Sequence, residues 1–352
     1  MKRSMQTPFM SVVVCAYNSE QVIARAIESL LVQDYPNERY EIVVIDDGSN
    51  DQTAQIVQTY PVFLVRHKTN LGRGAARNSG LSHIRGNNYV CFDDDCVADR
   101  NWLHQLAQGY QQPNAAGVGS SIKESIEQRG IASRFMAAAG SFNAPSLRLG
   151  ASKHPLRRFI SYFTDQLSPE RPTADIYRVR ELNGATASFP VDIIRAVGGW
   201  DTSLRAAEDV DLCARIAKAY PEFHFYTVST ALVSHDPNMS LGRFVYRPYA
   251  RGFDTLKYYR RRGLTPPIFP FPLFWFSATV MTMLINPFLG LLVALVLPQL
   301  LYLWWPLRAA REGNPWHLLF AYLQLAEESA TVVGLVRGQV LWQIKADSAR
   351  RS

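Results

Sequence analysis

The sequence lacks charge over one long stretch and is poor in cysteine. Of its 352 residues, 37 are Lys or Arg and 30 are Asp or Glu, yet residues 263–307 contain none of these four types. The four cysteines lie inside apolar runs without metal-ligand spacing, which argues against a disulfide framework and predicts reduced thiols in a cytosol-facing protein. With 47% hydrophobic residues, the chain is neither disordered nor collagen-like.

The uncharged stretch predicts a helical hairpin in a membrane. A spanning helix needs about 20 apolar residues, so the stretch can hold two spans, and Asn286-Pro287 near its middle favours a turn. We therefore expect a transmembrane helical hairpin over residues 266–310. The alternative is a buried helical pair in a soluble core. Basic residues flank the stretch on both sides: Lys257, Arg260, Arg261, Arg262, Arg308 and Arg311.

These flanking charges predict that both ends of the hairpin lie on the cytoplasmic side of the plasma (inner) membrane. Residues 241–265 are basic and rich in aromatic side chains, which favours contact with anionic lipid headgroups over nucleic acid. In the tail, residues 311–352, the apolar segment 316–342 either spans the bilayer or lies on it. The N-terminus has no apolar run of signal-peptide length, so we expect the front of the chain to stay in the cytosol.

Strand and helix patterns alternate over the first 235 residues. Short buried-strand patterns occur at residues 11–15, 41–45, 62–65 and 89–92, and helical spacing follows the first three, with Ser19 placed to cap the first helix. Strict alternation predicts an α/β fold with a mainly parallel, Rossmann-like sheet. Ligands of such sheets bind beyond the carboxyl ends of the strands.

Polar residues follow three of these four strands. Ala16-Tyr17-Asn18 follows the first, Asp46-Asp47 the second and Asp93-Asp94-Asp95 the fourth. Five carboxylates at one edge repel one another unless a cation or a hydrogen-bond donor binds there. Oxygen ligands at the first and third positions of the acidic triplet suit Mg²⁺ or Mn²⁺. Each acidic group alone is also compatible with ordinary turn and helix-cap chemistry.

Four ordered motifs resemble the family 2 glycosyltransferases, which have the GT-A fold. SVVVCAYNSEQVIARAIESLLVQDYPNERYEIVVIDDGSNDQT is followed by NLGRGAARNSGL and CFDDDCVADRNWL, and ELNGATASFPVDIIRAVGGWDTSLRAAEDVDLCARIAKA resembles the acceptor half of that family. The resemblance covers residues 9–236. It implies a GT-A catalytic domain over residues 1–240.

The resemblance also implies a pocket for a nucleoside-diphosphate sugar with UDP or GDP. Tyr17 would stack on the base and Asp47 would accept a base N–H, while Arg73 or Arg77 would approach the diphosphate. The implied nucleotide-sugar site comprises Ala16, Tyr17, Asn18, Asp46, Asp47, Arg73, Arg77, Asp93 and Asp94.

In the same way, the resemblance implies a metal ion on Asp93 and Asp95. His235 is a candidate third ligand, with a structural role as the alternative. Asp209 is the implied catalytic base and Glu208 the second choice, at the start of a late helix where helix capping alone would also explain them.

Two further residues are candidates for acceptor binding. Asn183 would donate or accept a hydrogen bond with a sugar hydroxyl, or else hold a turn. Trp200 would stack on a sugar ring, or else pack in the core.

The expected activity is inverting, metal-dependent transfer of one sugar to a membrane-proximal acceptor, either lipid-linked or a polysaccharide precursor. The Gln-x-x-Arg-Trp element of processive synthases is missing before the hairpin, which disfavours the alternative of a processive polysaccharide synthase. A nicotinamide-dependent dehydrogenase is disfavoured because no glycine fingerprint follows the first strand. A non-catalytic membrane scaffold that binds nucleotide-sugar is the remaining alternative.

Overall fold

The structure, a computed structural model, describes residues 7–124, 130–139, 174–235, 240–263 and 269–351, together with residues 160 and 266. It divides into two compact units. A sheet unit lies within Met1–Ile126 and Pro172–Pro237, and a helical unit lies within Glu127–Arg171 and Asn238–Ser352. The change of unit at residues 237–238 is close to the predicted boundary at 240. Helix α5 (Ile131–Ala139), inside the predicted catalytic domain, belongs instead to the helical unit.

The sheet unit has the predicted strands and several more. Its strands are β1 (Met10–Ala16), β2 (Tyr40–Asp46), β3 (Phe63–Arg66), β4 (Asn88–Asp93), β5 (Cys96–Ala98), β6 (Ala115–Glu124), β7 (Ile176–Val179), β8 (Ser188–Pro190) and β9 (His224–His235). They pair in the order β3-β2-β1-β4-β8-β6-β9-β5, with β7 on β9. The first four strands pair in parallel as predicted, but β8 pairs antiparallel with β4 and β6, so the sheet is mixed.

Helices cover both faces of this sheet. They are α1 (Ile23–Leu31), α2 (Thr53–Val57), α3 (Arg73–His83), α4 (Trp102–Gly109), α6 (Val191–Ala196) and α7 (Glu208–Ala219). Alternate side chains of β1 enter different cores, because a strand points successive residues to opposite faces. Val12 and Val14 pack in the core that includes α1, whereas Val13 packs in the core that includes α6 and α7.

The helical unit contains α5, α8 (Leu241–Arg261), α9 (Pro270–Ile285), α10 (Pro287–Leu301), α11 (Trp304–Glu312) and α12 (Trp316–Arg351). Its core is aromatic and includes Phe135, Phe244, Tyr302 and Phe320. Helices α8 and α12 approach so closely that a side chain at Gly252 would collide with the carbonyl of Thr331. Glycine is therefore required at this crossing.

The predicted hairpin is present as α9 and α10, joined at Asn286. Its helices have 16 and 15 residues, so each is shorter than the about 20 residues of a span. The expectation of two full spans within residues 266–310 is not supported by these lengths. In the described part of the chain, residues Trp316–Gln343 of α12 are the single helix that is long and apolar enough to cross a membrane; α10 and α11 pass the same test only as a pair bent by 72°.

Candidate active site

The ends of the parallel strands meet at one edge of the sheet unit. The register pairs Ala16 with Asp46 and Cys15 with Asp93, so β1, β2 and β4 end level with one another. Ala16 is buried, and its carbonyl accepts a hydrogen bond from the amide of Asp47 (2.8 Å). The polar groups that follow these strands are therefore neighbours, as the sequence predicts.

Asp46 and Asp47 are almost fully buried, at 0% and 4% exposure. Asp46 accepts a hydrogen bond from the amide of Ser49 (2.9 Å) and lies 3.0 Å from Nε of Arg66. Asp47 contacts Nδ1 of His67 (2.6 Å) and accepts hydrogen bonds from the backbone amides at positions 71 and 72. Asp47 thus holds the loop after β3 against β2, whereas Asp46 holds the turn after its own strand and the end of β3. The contact of Asp47 with a nucleotide base stays a prediction.

Tyr17 and Asn18 form the turn after β1. Asn18 has a positive φ of 52°, and its backbone amide donates to Oγ of Ser49 (2.9 Å) while its side-chain oxygen accepts from the amide of Asn50 (2.9 Å). The Tyr17 ring is 44% exposed at the same edge. An exposed aromatic ring beside fixed polar groups is suited to stacking on a planar ligand.

Asp94 turns back toward the end of β1. Its carboxylate accepts hydrogen bonds from the Ser19 hydroxyl and from the amide of Tyr17 (3.4 Å). Burial, with a further contribution from Asp95, raises the pKa of Asp94 to about 7. The prediction that Ser19 caps α1 with its side chain is wrong, because that helix begins after Val22 and its N-cap makes no side-chain hydrogen bond.

Asp95 and His235 come together because β5 pairs antiparallel with the end of β9. The register sets Cys96 opposite His235, and Oδ2 of Asp95 lies 3.2 Å from Nε2 of that histidine. His235 is 2% exposed, whereas the Asp95 side chain is 24% exposed. Within the described ranges no group of three His, Cys, Asp or Glu side chains converges to hold a metal. Binding of a divalent cation by Asp95 and His235 stays a prediction.

Arg77 joins three parts of the site through one buried guanidinium group, which is 2% exposed. It lies 2.9 Å from Oε1 of Glu208, donates to the carbonyl of Gly184 (2.7 Å) and lies 3.8 Å from Oδ1 of Asp93. A Cβ atom at Gly184 would stand 2.7 Å from the guanidinium, so glycine makes room for it. Arg73 is half exposed and lies 3.8 Å from the Glu208 carboxylate.

Glu208 and Asp209 begin α7, but their surroundings differ. Glu208 is 2% exposed, and burial raises its pKa although Arg77 opposes this. Asp209 is only partly buried; its Oδ2 accepts a hydrogen bond from the amide of Gly184 (2.9 Å) and its Oδ1 from that of Val210 (2.8 Å). Because Glu208 is committed to Arg77, Asp209 is the better placed of the two to accept a proton from a ligand.

The two predicted acceptor-binding residues have structural contacts. Asn183 accepts a hydrogen bond from the amide of Ala185 (2.9 Å) and holds the turn before β8. Trp200 is 2% exposed and packs on Tyr89 with ring centroids 4.8 Å apart. Its position supports the core-packing alternative over stacking on a sugar, because no ring face is open to a ligand.

The sequence analysis missed two nitrogen-bearing side chains at this edge. Arg66 ends β3 and His67 follows it, and they face Asp46 and Asp47 respectively. The rule that ligand-binding groups follow strands, applied to the third strand, would have found both. A third omission is Glu181, whose pKa burial raises to about 7, with a further contribution from Asp209.

Comparisons with known proteins agree with this architecture. One solved structure similar to this chain is the mannosyltransferase PcManGT of Pyrobaculum calidifontis, solved with GDP-Man and Mn²⁺, at a TM-score of 0.55 and 18% identity over 96% of this chain and 88% of that chain. This likeness shows the fold: the sheet unit has a GT-A-like α/β fold with a mixed sheet.

Sequence comparison gives a partial match to one family. Residues 11–163 match the glycosyl transferase family 2 model. It is 26% identical over 221 residues to the probable glycosyltransferase YdaM of Bacillus subtilis, covering 60% of this chain and 47% of that protein. It is also 26% identical over 242 residues to the pre-mycofactocin glycosyltransferase of Mycobacterium tuberculosis, covering 67% and 44%. The chain spans about half the length of the curated relatives it matches.

Proposed function

We propose that this chain is an inverting glycosyltransferase that moves one sugar from a nucleoside-diphosphate sugar to an acceptor close to a membrane. The observation that carries the proposal is the position of Arg77, whose guanidinium contacts Glu208 beside Asp209 and approaches Asp93 in the acidic triplet. Two acidic motifs 115 residues apart in sequence (from Asp93 to Glu208) thereby belong to one site. The match of residues 11–163 to the family 2 model supports the same conclusion.

The residues of the chain take distinct parts in this reaction. The exposed Tyr17 ring stacks on the nucleotide base, and the fixed turns after β1 and β2 shape the pocket around it. Asp209 accepts the proton of the acceptor hydroxyl as that oxygen attacks the sugar on the side opposite the leaving diphosphate. Arg77 positions the acidic groups without touching the sugar.

A divalent ion, Mn²⁺ or Mg²⁺, would be held by Asp95 and His235, with Asp93 nearby. When bound, such an ion supplies positive charge against the diphosphate that leaves. The Asp95 oxygen and the His235 nitrogen lie 3.2 Å apart, which supports this assignment.

Membrane attachment is part of the proposal. The exposed apolar side chains of the hairpin and the basic residues that flank it support a location on the cytoplasmic side of the plasma membrane. A lipid-linked saccharide or a polysaccharide precursor at that surface is the proposed acceptor.

The test is a donor panel with the purified full chain. UDP- and GDP-sugars are supplied with Mn²⁺ or Mg²⁺ and with either a polyprenyl-phosphate-linked or a soluble acceptor, and the product anomer is assigned by NMR. Asp209→Asn should reduce turnover by about 10²–10⁴-fold while nucleotide binding persists. Asp192→Asn, at an exposed helix start, is the matched control and should keep full turnover.

Other outcomes would change the proposal in defined ways. Nucleotide binding without turnover of any donor would favour the scaffold alternative. Products with many added sugars would favour a processive synthase. Full activity in Asp209→Asn would contradict the assignment of the base.

A further inference from the structure

The hairpin formed by α9 and α10 exposes apolar side chains most strongly at its tip. Leu284, Ile285 and Phe288 are 79%, 78% and 86% exposed. At the base of the hairpin, Phe271 and Tyr302 are 7% and 0% exposed and pack in the aromatic core of the helical unit. The base of the hairpin is thus covered by the protein itself, whereas the tip needs a partner to cover it.

Two polar side chains at and near the tip are hydrogen-bonded within the hairpin. The side-chain oxygen of Asn286 accepts hydrogen bonds from the amides of Phe288 (2.9 Å) and Leu289 (3.1 Å), so it caps the start of α10. The hydroxyl of Thr282 donates to the carbonyl of Ala278 (2.8 Å). Polar groups that are satisfied internally can enter hydrocarbon at little cost.

The exposed apolar side chains lie along the length of both helices. They include Leu273, Phe274, Phe276, Val280, Met281, Leu291, Leu292, Leu295, Val296 and Leu300. A protein partner would cover one face and leave charged residues on the other, but residues 263–307 carry no charge on any face. Exposed Arg311 lies beyond the base, where it can meet anionic headgroups. Lipid is therefore the occupant that fits.

The hairpin is too short to cross the bilayer. At 1.5 Å per residue its helices are about 24 Å and 22 Å long, against a hydrocarbon thickness of about 30 Å. After α10 the chain bends by 72° into α11 instead of continuing along the same axis. The tip therefore ends inside the hydrocarbon when the base stays at the surface.

The longer helix α12 is a weaker candidate for a span despite its length. Of its apolar window, 44% is already buried in the protein. It packs along α8, where side chains at Gly252 and Gly334 would collide with the carbonyls of Thr331 and Tyr249. Helix α8 carries many arginines. A position in the middle of a bilayer would therefore be unfavourable for α8 and for α12, which packs along it.

We propose that α9 and α10 form a re-entrant wedge that enters the cytoplasmic leaflet, with its tip in the hydrocarbon and both ends at the same surface. This inference rests on the membrane attachment proposed above and is independent of sugar transfer. It replaces a hairpin of two spans by an anchor that enters from the cytoplasmic side and ends before the far surface.

The first test places a cysteine at the tip and another beyond the base. Ile285→Cys and Glu312→Cys are made in the full chain, and the wild type, with its four natural thiols, gives the background. A membrane-impermeant maleimide is applied to intact spheroplasts and to inverted membrane vesicles of an expressing bacterium. The tip cysteine should label in neither preparation and label fully after detergent, whereas Glu312→Cys should label in inverted vesicles only.

The second test places a charge at the same positions. Ile285→Arg should reduce the fraction bound to anionic vesicles by roughly tenfold or more, because the charge would lie in hydrocarbon. Ala310→Arg, on the exposed surface of α11, is the control and should bind at least as strongly as the wild type, because its charge would lie at the headgroups. A hairpin of two spans would instead tolerate a charge at its turn.

Each contrary result has its own meaning. Labelling of the tip in intact spheroplasts would show that it emerges on the far side and would overturn the wedge. Labelling of the tip in inverted vesicles would show that it stays in water and would overturn it as well. A wild-type chain that does not sediment with vesicles would overturn both the wedge and the proposed attachment, while sugar transfer to a soluble acceptor would stand.

Discussion

The two compact units break the usual division between buried and exposed residues in opposite ways. The sheet unit buries charged side chains at 0–4% exposure, namely Asp46, Asp47, Arg77 and Glu208. The helical unit exposes large apolar side chains at 78–86%, namely Leu284, Ile285 and Phe288. Soluble proteins rarely bury charged side chains unless these are paired with opposite charges, and they rarely expose large apolar side chains over a large patch.

This difference indicates different ligands for the two units. Buried charges at the end of a parallel sheet are held by opposite charges of the protein, so a ligand that carries phosphate and metal meets a fixed arrangement. Exposed apolar side chains without any interspersed charge are stable only next to another apolar medium. The contrast is therefore between an ionic site and an uncharged apolar surface, which we propose to be covered by lipid.

The largest expected effect comes from removing the cation at the centre of the sheet unit. Arg77→Met leaves the buried Glu208 carboxylate without its main counter-charge, and the free energy of unfolding should fall by about 3–5 kcal/mol. Chemical unfolding of the detergent-purified chain measures this. Arg73→Met is the matched control: its side chain is half exposed and 3.8 Å from the same carboxylate, so the loss should be about 0–1 kcal/mol.

A double variant sharpens this result. Adding Glu208→Gln to Arg77→Met removes the uncompensated charge and should restore more than half of the lost stability. Equal losses in the free energy of unfolding for Arg77→Met and Arg73→Met would show that burial of the Arg77 guanidinium has no effect on stability. That result would also weaken the contrast between the two units.

Much of the sheet unit follows from local sequence patterns. The first four strands, α1 and α7 are visible as short apolar runs and helical spacing, because each buries a regular set of side chains. The antiparallel strand β8 is not visible: Ser188–Pro190 has three residues and its pairing depends on neighbours distant in sequence. The mixed character of the sheet was therefore missed.

The sequence predicts where the acidic groups of the site lie, but not which basic side chains of the chain contact them. Asp46, Asp47, Asp93 and Asp95 lie at the predicted edge, because strand ends align in a parallel sheet. Their repulsion was expected to be relieved by a bound cation or hydrogen-bond donor, whereas Arg66 and Arg77 of the chain supply positive charge next to Asp46 and Asp93. Trp200 shows the same limit, since an aromatic residue in a turn carries no local sign of whether it faces a ligand or the core.

A smaller effect is expected from the pH dependence of the sheet unit. Burial and then Asp209 raise the pKa of Glu181 to about 7, against a value of 4.5 for an ordinary glutamate, while Arg180 acts in the other direction. At pH values between about 4.5 and about 7, the folded chain therefore keeps a proton on Glu181 that the unfolded chain has released. Stability from this group is complete below about pH 4.5 and is lost as the pH rises through about 7.

Glu181→Gln should remove this loss. Its free energy of unfolding should equal that of the wild type near pH 4 and exceed it by about 1–3 kcal/mol at pH 8. In an Asp209→Asn background the step should move to lower pH, because one cause of the raised pKa is gone. Parallel stability profiles of wild type and Glu181→Gln from pH 4 to 8 would contradict the assignment.

The smallest expected effect concerns backbone strain, in which the two units also differ. Among the described residues, those with positive φ in the helical unit are the glycines Gly263 and Gly313, whereas the sheet unit places Ala207 at φ 62°, directly before Glu208. An alanine there costs about 1–2 kcal/mol in the left-handed region.

Ala207→Gly removes that cost and adds freedom to the unfolded chain, so the free energy of unfolding should rise by about 0.5–1 kcal/mol. Ala217→Gly, on the exposed last turn of α7, is the control and should lower it by up to about 1 kcal/mol. Both variants are measured in one series of chemical unfolding curves. A gain in the free energy of unfolding for Ala207→Gly and a loss for Ala217→Gly would place the strain at the start of α7, beside the proposed base. Changes of the same sign would show that Ala207 is not strained.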